Sequence, residues 1–162
     1  RLCAEWEAAT GPAARAGIRV VPLRTGLVLG RGGGALARML PPFRLGLGGI
    51  FGPGTQHVGW IALDDLVRVI SHALTTASLA GPLNAVAPAP VTNRELTKTL
   101  GRVLGRPTFA RIPAVALRLA LGELAQATLL ASQRVRPARL LEGGFAYRFP
   151  ELEDAITRLL AA

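Results

Sequence analysis

Three short apolar segments, separated from one another by helical patterns, constrain the fold of this chain most strongly. Apolar residues recur at helical spacing between positions 66 and 74, and Thr92 and Glu95 form a capping box that opens a helix predicted over 92–104. Strands that alternate with helices usually pair in parallel, so the pattern predicts an α/β fold. The apolar segments are residues 18–24 (IRVVPLR), 57–63 (HVGWIAL) and 82–87 (PLNAVA).

The predicted strands are too few to form a self-sufficient sheet. A parallel strand that is buried on both faces needs neighbours at its edges and helices above and below it. We therefore expect the second half of a larger sheet. Asp64 is predicted to cap the helix after the second strand, and further helices are predicted at residues 2–9, at 34–40 (ended by Pro41 and Pro42), at 113–131 (as one helix or two) and from Pro150 onward.

A glycine cluster follows the first strand and raises the question of a dinucleotide-binding loop. Gly30, Gly32 and Ala35 match the pattern G-x-G-x-x-A between an apolar run and a predicted helix. A Rossmann fingerprint also needs an acidic residue about 20 positions later, but the first carboxylate after Glu7 is Asp64. A strand-to-helix turn that needs backbone freedom is the favoured interpretation.

Composition argues against several classes of function. The 162 residues include one cysteine, Cys3, which excludes an intramolecular disulfide and fits the expectation of a reducing, cytoplasmic location. The most apolar stretch, 113–131, is interrupted by charged residues, so no membrane span is expected. The net charge of +9 comes mostly from scattered arginines, and aromatic residues make up only 5%, which favours solvated surface charge over specific nucleic-acid binding.

Side chains suited to catalysis are scarce. The two histidines, His57 and His72, lack metal-ligand spacing, and no nucleophile motif is present, so neither a metal site nor a catalytic residue is predicted. Tyr147 is the only tyrosine and Lys98 the only lysine, so this chain cannot form a Tyr-x-x-x-Lys dyad for proton transfer.

Four stretches together resemble one family. They are RVVPLRTGLVLGRGGGALARMLPPFRLGLGG, GTQHVGWIALDDLVRVISHAL, GPLNAVAPAPVTNRELTKTLGRVLGRP and RVRPARLLEGGFAYRFPELEDAI, which cover nearly the whole chain in order. They resemble the C-terminal half of an atypical short-chain dehydrogenase/reductase. The group consists of NAD(P)-dependent epimerase-like proteins with a C-terminal domain of unknown function.

The resemblance implies a Rossmann sheet that binds NADP(H) or NAD(H), mainly through an N-terminal half, and a smaller lobe that closes over a small-molecule substrate. It assigns residues 1–46 to a late Rossmann strand with flanking helices. Residues 47–162 form the substrate-binding lobe, with strand 82–87 and helix 92–104 as candidates to return to the main sheet. The family's catalytic Tyr and Lys belong to the N-terminal half, so this chain is expected to be catalytically incomplete.

The resemblance also assigns site residues. Thr25, Gly26, Leu27 and Val28 match the segment beside the nicotinamide. Gln56 and Trp60 match positions that border the substrate cleft, and strand 57–63 is expected to leave the main sheet with Trp60 facing that cleft. The alternative for Trp60, a core aromatic residue, is equally open.

A sugar-nucleotide substrate is placed in doubt by Val58. Sugar-nucleotide epimerases carry an arginine two residues before the aromatic position, and Val58 takes its place here. Without that guanidinium, bidentate binding of a diphosphate is lost. Arg38 or Arg44 could substitute from the neighbouring segment.

The sequence leaves two interpretations of the function open. In the first, the chain is the substrate-binding part of an NAD(P)-dependent oxidoreductase or epimerase-like protein, and its partner is the missing N-terminal half in cis or a protein in trans. In the second, it is a non-catalytic interaction module, a truncated paralogue that pairs with another sheet-bearing protein. A bare strand edge at 18–24 would in either case favour association, including a homo-oligomer.

Overall fold

Short strands and helices alternate along the chain. The computed structural model describes residues 2–161. The helices are α1 (Leu2–Ala8), α2 (Gly11–Arg15), α3 (Gly34–Arg44), α4 (Leu63–Thr75), α5 (Asn93–Val103), α6 (Ala114–Leu121), α7 (Ala138–Glu142) and α8 (Leu152–Ala161), with a π-helical turn at Ala125–Leu129. The strands are β1 (Leu23–Thr25), β2 (Leu27–Leu29), β3 (Gly49–Phe51), β4 (His57–Val58), β5 (Trp60–Ala62), β6 (Leu83–Ala85), β7 (Val91–Thr92) and β8 (Ala110–Ile112).

Most strand pairs are parallel, which confirms the α/β prediction. β1 pairs with β6, β2 with β5 and β3 with β8, all in parallel, whereas β4 and β7 are antiparallel. β1 and β2 are consecutive, with only Gly26 between them, so one stretch of chain changes its partner from β6 to β5 at this glycine.

Helices cover both faces of the paired strands. Trp60 packs in one buried cluster with residues of α3, α5 and α8, whereas its neighbour Ile61 packs in another with residues of α4 and α7. Successive side chains of a strand point to opposite faces, so β5 is buried on both sides, as a parallel strand of a Rossmann-like sheet is.

The capping box of α5 confirms the start predicted for this helix. The backbone N–H of Glu95 donates to Thr92 Oγ1 at 3.2 Å, and the backbone N–H of Thr92 donates to Glu95 Oε2 at 2.6 Å. Two N–H groups that the helix itself cannot satisfy therefore find partners.

The predicted end of α3 at Pro41 and Pro42 is wrong, because the helix continues to Arg44. Proline cannot donate a backbone hydrogen bond, but both proline carbonyls still accept. Leu45 N–H donates to Pro41 O at 3.2 Å and Leu47 N–H to Pro42 O at 2.9 Å. Phe43 is buried and anchors this last turn to the core.

The first predicted strand begins later than expected. Residues 18–22 are not assigned to a strand, although the carbonyls of Val20 and Pro22 accept hydrogen bonds from Gly81 and Leu83 at 2.8 and 2.9 Å. The long apolar segment 113–131 forms two helical pieces, because Gly122 ends α6 with a φ of +58°. None of the described helices is long and apolar enough to cross a membrane.

Asp65, rather than Asp64, has the structural role at the start of α4. Ala62 occupies the N-cap position and Asp64 is exposed, so the predicted cap is wrong. The Asp65 carboxylate is fully buried and accepts hydrogen bonds from the backbone N–H groups of Arg148 and Phe149, each at 2.8 Å. This carboxylate ties the segment before α8 to the first turn of α4.

Candidate functional site

A pocket of about 260 Å³ opens where β1 gives way to β2. Thr25, Gly26 and Leu27 form one wall, and His57, Val58 and Gly59 of the β4–β5 segment form the second. The structure therefore brings three of the four residues predicted to lie beside a nicotinamide into one cavity.

Close backbone contact holds the two walls together. Leu27 N–H donates to Gly59 O at 2.7 Å, and Gly26 N–H donates to Ala85 O at 3.3 Å. A Cβ atom at Gly26 would lie 2.5 Å from Gly59 O, closer than real Cβ contacts come. Glycine is needed at this position because it lets the backbones approach closely enough to form the pocket.

The third wall comes from the π-helical turn and the segment after it. Ala127, Thr128, Ala131 and Gln133 complete the lining. The segment is held beside β4 by two hydrogen bonds, from His57 N–H to Ser132 Oγ and from Gln133 N–H to His57 O, both at 3.0 Å. A part of the chain more than 65 positions after His57 is thereby fixed over the pocket.

Gln56 has a structural position beneath this wall. Its Nε2 donates to the carbonyls of Phe51 and Leu129, both at 3.0 Å, and the residue is buried and outside the pocket lining. Its Oε1 is buried without a hydrogen-bond partner among the described residues. Gln56 thus connects β3 to the π-helical turn instead of facing the cavity.

The prediction that Trp60 faces the cleft is wrong. Trp60 is 1% exposed, packs in the core, and donates its indole N–H to Ala89 O at 3.1 Å. β5 pairs in parallel with β2, which lies within the part of the chain predicted to hold a late Rossmann strand. Trp60 is therefore the core aromatic residue of the alternative interpretation.

The two remaining predicted site residues lie elsewhere. Val28 packs against the core cluster that contains Ile61 and is outside the pocket. Arg38 is exposed on α3 and lines a separate groove next to Phe43 and Asn93. The structure does not bring either side chain to Thr25.

Sequence reasoning missed Thr128 and Gln133 and did not assign His57 a place in the site. Thr128 and Gln133 belong to an apolar, weakly patterned segment whose return to β4 no local signal announces. His57 directly follows the predicted Gln56. Because successive side chains of a strand point to opposite faces, only one of these two neighbours was expected to face the cavity. This alternation was the one signal that could have identified His57.

The lining can form hydrogen bonds but carries little charge. Among the described residues that line it, none is an arginine, lysine, aspartate or glutamate, and His57 is the one titratable side chain. No group of three potential metal ligands occurs within residues 2–161. The cavity is also smaller than the roughly 300–1,000 Å³ of typical small-molecule sites. The cavity is therefore small for a whole dinucleotide, and its described lining offers no charged side chain to a phosphate.

One known protein family matches the C-terminal third of the chain. Residues 112–159 match the family described as "Domain of unknown function (DUF1731)". The matched region begins at the last residue of β8 and ends within α8, and so includes the third wall of the pocket.

Curated relatives match almost the whole chain. Epimerase family protein Mb2239 of Mycobacterium bovis is 46% identical over 156 residues, which are 96% of this chain and 52% of that protein. The human epimerase family protein SDR39U1 is 44% identical over 160 residues, 99% of this chain and 54% of that protein. The chain thus spans about half the length of the curated relatives it matches.

Solved structures agree with these relatives. The human SDR39U1 crystal structure (isoform 2), determined with NADPH, superposes with a TM-score of 0.85 at 44% identity, over 89% of this chain and 49% of that chain. A Thermus thermophilus UDP-glucose 4-epimerase in complex with NAD gives a TM-score of 0.74 at 17% identity, over 98% of this chain and 51% of that chain, and shows the shared fold alone. Over nearly its whole length the chain thus matches about half of proteins of the epimerase family, which agrees with its resemblance to the C-terminal part of an atypical short-chain dehydrogenase/reductase.

Proposed function

We propose that this chain provides the substrate-side wall of the nicotinamide site in an NAD(P)-dependent, epimerase-like oxidoreductase. The observation that carries the proposal is the uncharged, hydrogen-bonding pocket between Thr25–Leu27 and His57–Gly59. The human relative, whose structure was determined with NADPH, supports a nicotinamide cofactor, with NADPH the first candidate and NADH the second.

The rest of the cofactor would be bound by the part of such proteins that this chain does not match. Phosphates are usually held by helix N-termini, backbone N–H groups and basic side chains. The lining of this pocket offers no arginine or lysine among its described residues. This chain would therefore bind the nicotinamide and the substrate, and the other half would bind the phosphates and the adenosine.

The proton-transfer groups would also come from the other half. Tyr147 donates its hydroxyl to Val86 O at 2.8 Å, and burial raises its pKa above the usual value, with the Asp65 charge adding to the shift. A phenol in this state is a poor proton donor to a substrate, and Lys98 is exposed on α5. This chain alone should therefore not turn over any carbonyl substrate with NADPH.

Fusion to a complementary half tests the proposal. The unmatched N-terminal portion of the Mycobacterium bovis relative, joined to this chain, should bind NADPH and change the fluorescence of its reduced nicotinamide. Thr128→Trp should fill the pocket and weaken NADPH binding by about tenfold or more. The matched control is Thr75→Trp, because Thr75 and Thr128 both donate their hydroxyls to the carbonyl four residues earlier, and Thr75 lies on α4 away from this pocket. Equal affinities for the two variants would contradict the proposal.

A second candidate function is a non-catalytic interaction module. Large apolar side chains on α1 and α4 favour it: Trp6 is 67% exposed, Val67 58% and Leu74 72%. Exposed large apolar side chains of this kind can form an association surface when they are contiguous. This candidate predicts that Thr128→Trp and Thr75→Trp leave the NADPH affinity of the fused protein equal, so the same fluorescence titration separates the two functions.

A further inference from the structure

The chemistry of the pocket wall also limits the class of substrate, if the pocket has the proposed function. We infer that the site takes an uncharged substrate with hydroxyl or carbonyl groups, and that Gln133 is the residue that selects for this class. The inference begins with the side chains that can contact a ligand there.

The polar side chains of the lining are neutral hydrogen-bonding groups. Thr25 and Gln133 line the pocket and are exposed. A carboxamide carries both a donor and an acceptor, so Gln133 can pair with a hydroxyl or a carbonyl. Thr128 already donates its hydroxyl hydrogen to Leu124 O at 2.6 Å, so its oxygen remains to accept from a substrate hydroxyl.

The two arginines that are adjacent in sequence to lining residues do not supply a positive charge to the pocket. Arg24 precedes Thr25, but its guanidinium binds both carboxylate oxygens of Glu7, at 2.6 and 2.7 Å. Arg134 follows Gln133 and does not line the pocket. A phosphate or diphosphate in this cavity would lose its hydration without gaining a charged partner, which is unfavourable.

Gln133 is placed to discriminate because its backbone is fixed. Its N–H donates to His57 O at 3.0 Å, next to the Ser132 hydroxyl that accepts from His57 N–H. A positively charged side chain introduced at position 133 would therefore lie at the wall of the pocket. Gln133→Arg should convert the site into one that prefers phosphorylated ligands.

The test uses the fused protein, saturated with NADPH and labelled with ¹³C at threonine methyls, so that Thr25 and Thr128 report on the pocket. D-glucose and D-glucose 6-phosphate are the probes, because they differ only by the phosphate. The unaltered protein should bind glucose 6-phosphate no more tightly than glucose. Gln133→Arg should bind glucose 6-phosphate about tenfold more tightly than the unaltered protein does, as expected for a charge-assisted hydrogen bond, and should show no such gain for glucose.

Ser78→Arg is the charge-matched control, because Ser78 is exposed and lies outside the pocket. A preference of the unaltered protein for glucose 6-phosphate, the same gain in Ser78→Arg, or no methyl shift with either sugar would overturn the inference. NADPH addition itself reports on the proposed function. If NADPH shifts the two methyls but glucose 6-phosphate is preferred, only the substrate class is wrong; if NADPH leaves them unchanged, the nicotinamide site is wrong.

Discussion

The backbone of Gly26 lies so close to Gly59 that a Cβ on Gly26 would be 2.5 Å from the Gly59 carbonyl oxygen. This contact joins the two walls of the pocket at the point where one strand changes partner from β6 to β5. The absence of a side chain at Gly26 therefore allows the two pocket walls to approach each other this closely.

Gly26→Ala should therefore destabilise the fold and widen the pocket. Forcing a methyl group into a packed contact costs about 1–3 kcal/mol. Gly33→Ala is the matched control, because nothing lies within 4 Å of a Cβ built there and its φ of −174° suits any residue. Urea unfolding of the fused protein measures both. Equal midpoints would show that the Gly26–Gly59 contact does not constrain the fold.

Asp65→Asn should cost more stability than Asp64→Asn. Asp65 is fully buried and accepts from two backbone N–H groups, and the uncharged amide can accept at only one of its two terminal atoms. A buried N–H without a partner costs about 1–3 kcal/mol. Asp64 is exposed, and its carboxylate lies 3.9 Å from Arg148, a surface pair worth about 1 kcal/mol or less. Thermal denaturation of the two variants compares them directly, and a larger loss for Asp64→Asn would contradict the role assigned to Asp65.

The capping box of α5 should make stability pH-dependent in acid. Hydrogen bonds from the backbone and side chain of Thr92 lower the pKa of Glu95. A carboxylate whose folded pKa is depressed stabilises the fold above its unfolded pKa, and this contribution is lost as the pH falls through the folded pKa. The unaltered chain should thus lose stability as the pH falls below about 4.3, the usual pKa of an unperturbed glutamate.

Glu95→Gln should flatten this acid dependence, whereas Thr92→Ala should lower stability by about 1 kcal/mol at neutral pH through loss of the cap. Unfolding midpoints between pH 3 and pH 7 measure both effects. An acid slope that is unchanged in Glu95→Gln would assign the pH dependence to other carboxylates.

The chain without its complementary half should self-associate. Each large apolar side chain left in water forgoes about 1.5–3 kcal/mol of burial, and Trp6, Val67 and Leu74 are all more than half exposed. Sedimentation velocity of the 162-residue chain should therefore show oligomers or aggregates that the fusion suppresses. A monodisperse monomer with a cooperative thermal transition would contradict this expectation.

The sequence predicted those features that depend on local patterns. Thr92 and Glu95 identified a helix start because a capping box is a short-range signal, and the α/β class followed from strands that alternate with helices. The π-helical turn and Gln133 could not be predicted, because their place in the pocket depends on hydrogen bonds to His57, more than 70 positions earlier. Trp60 was misplaced because a cleft-facing strand and a doubly buried strand have the same apolar composition.

The most direct test of the central account is the distance between the nicotinamide ring and the pocket methyls. In the fused protein, nuclear Overhauser effects from the ring protons of bound NADPH should reach the methyls of Thr25 and Thr128, which line the cavity, and should not reach Thr75 on α4. Thr128→Trp should abolish the effect at Thr25. Contacts of the ring with neither pocket threonine, in a protein that binds NADPH, would contradict the account.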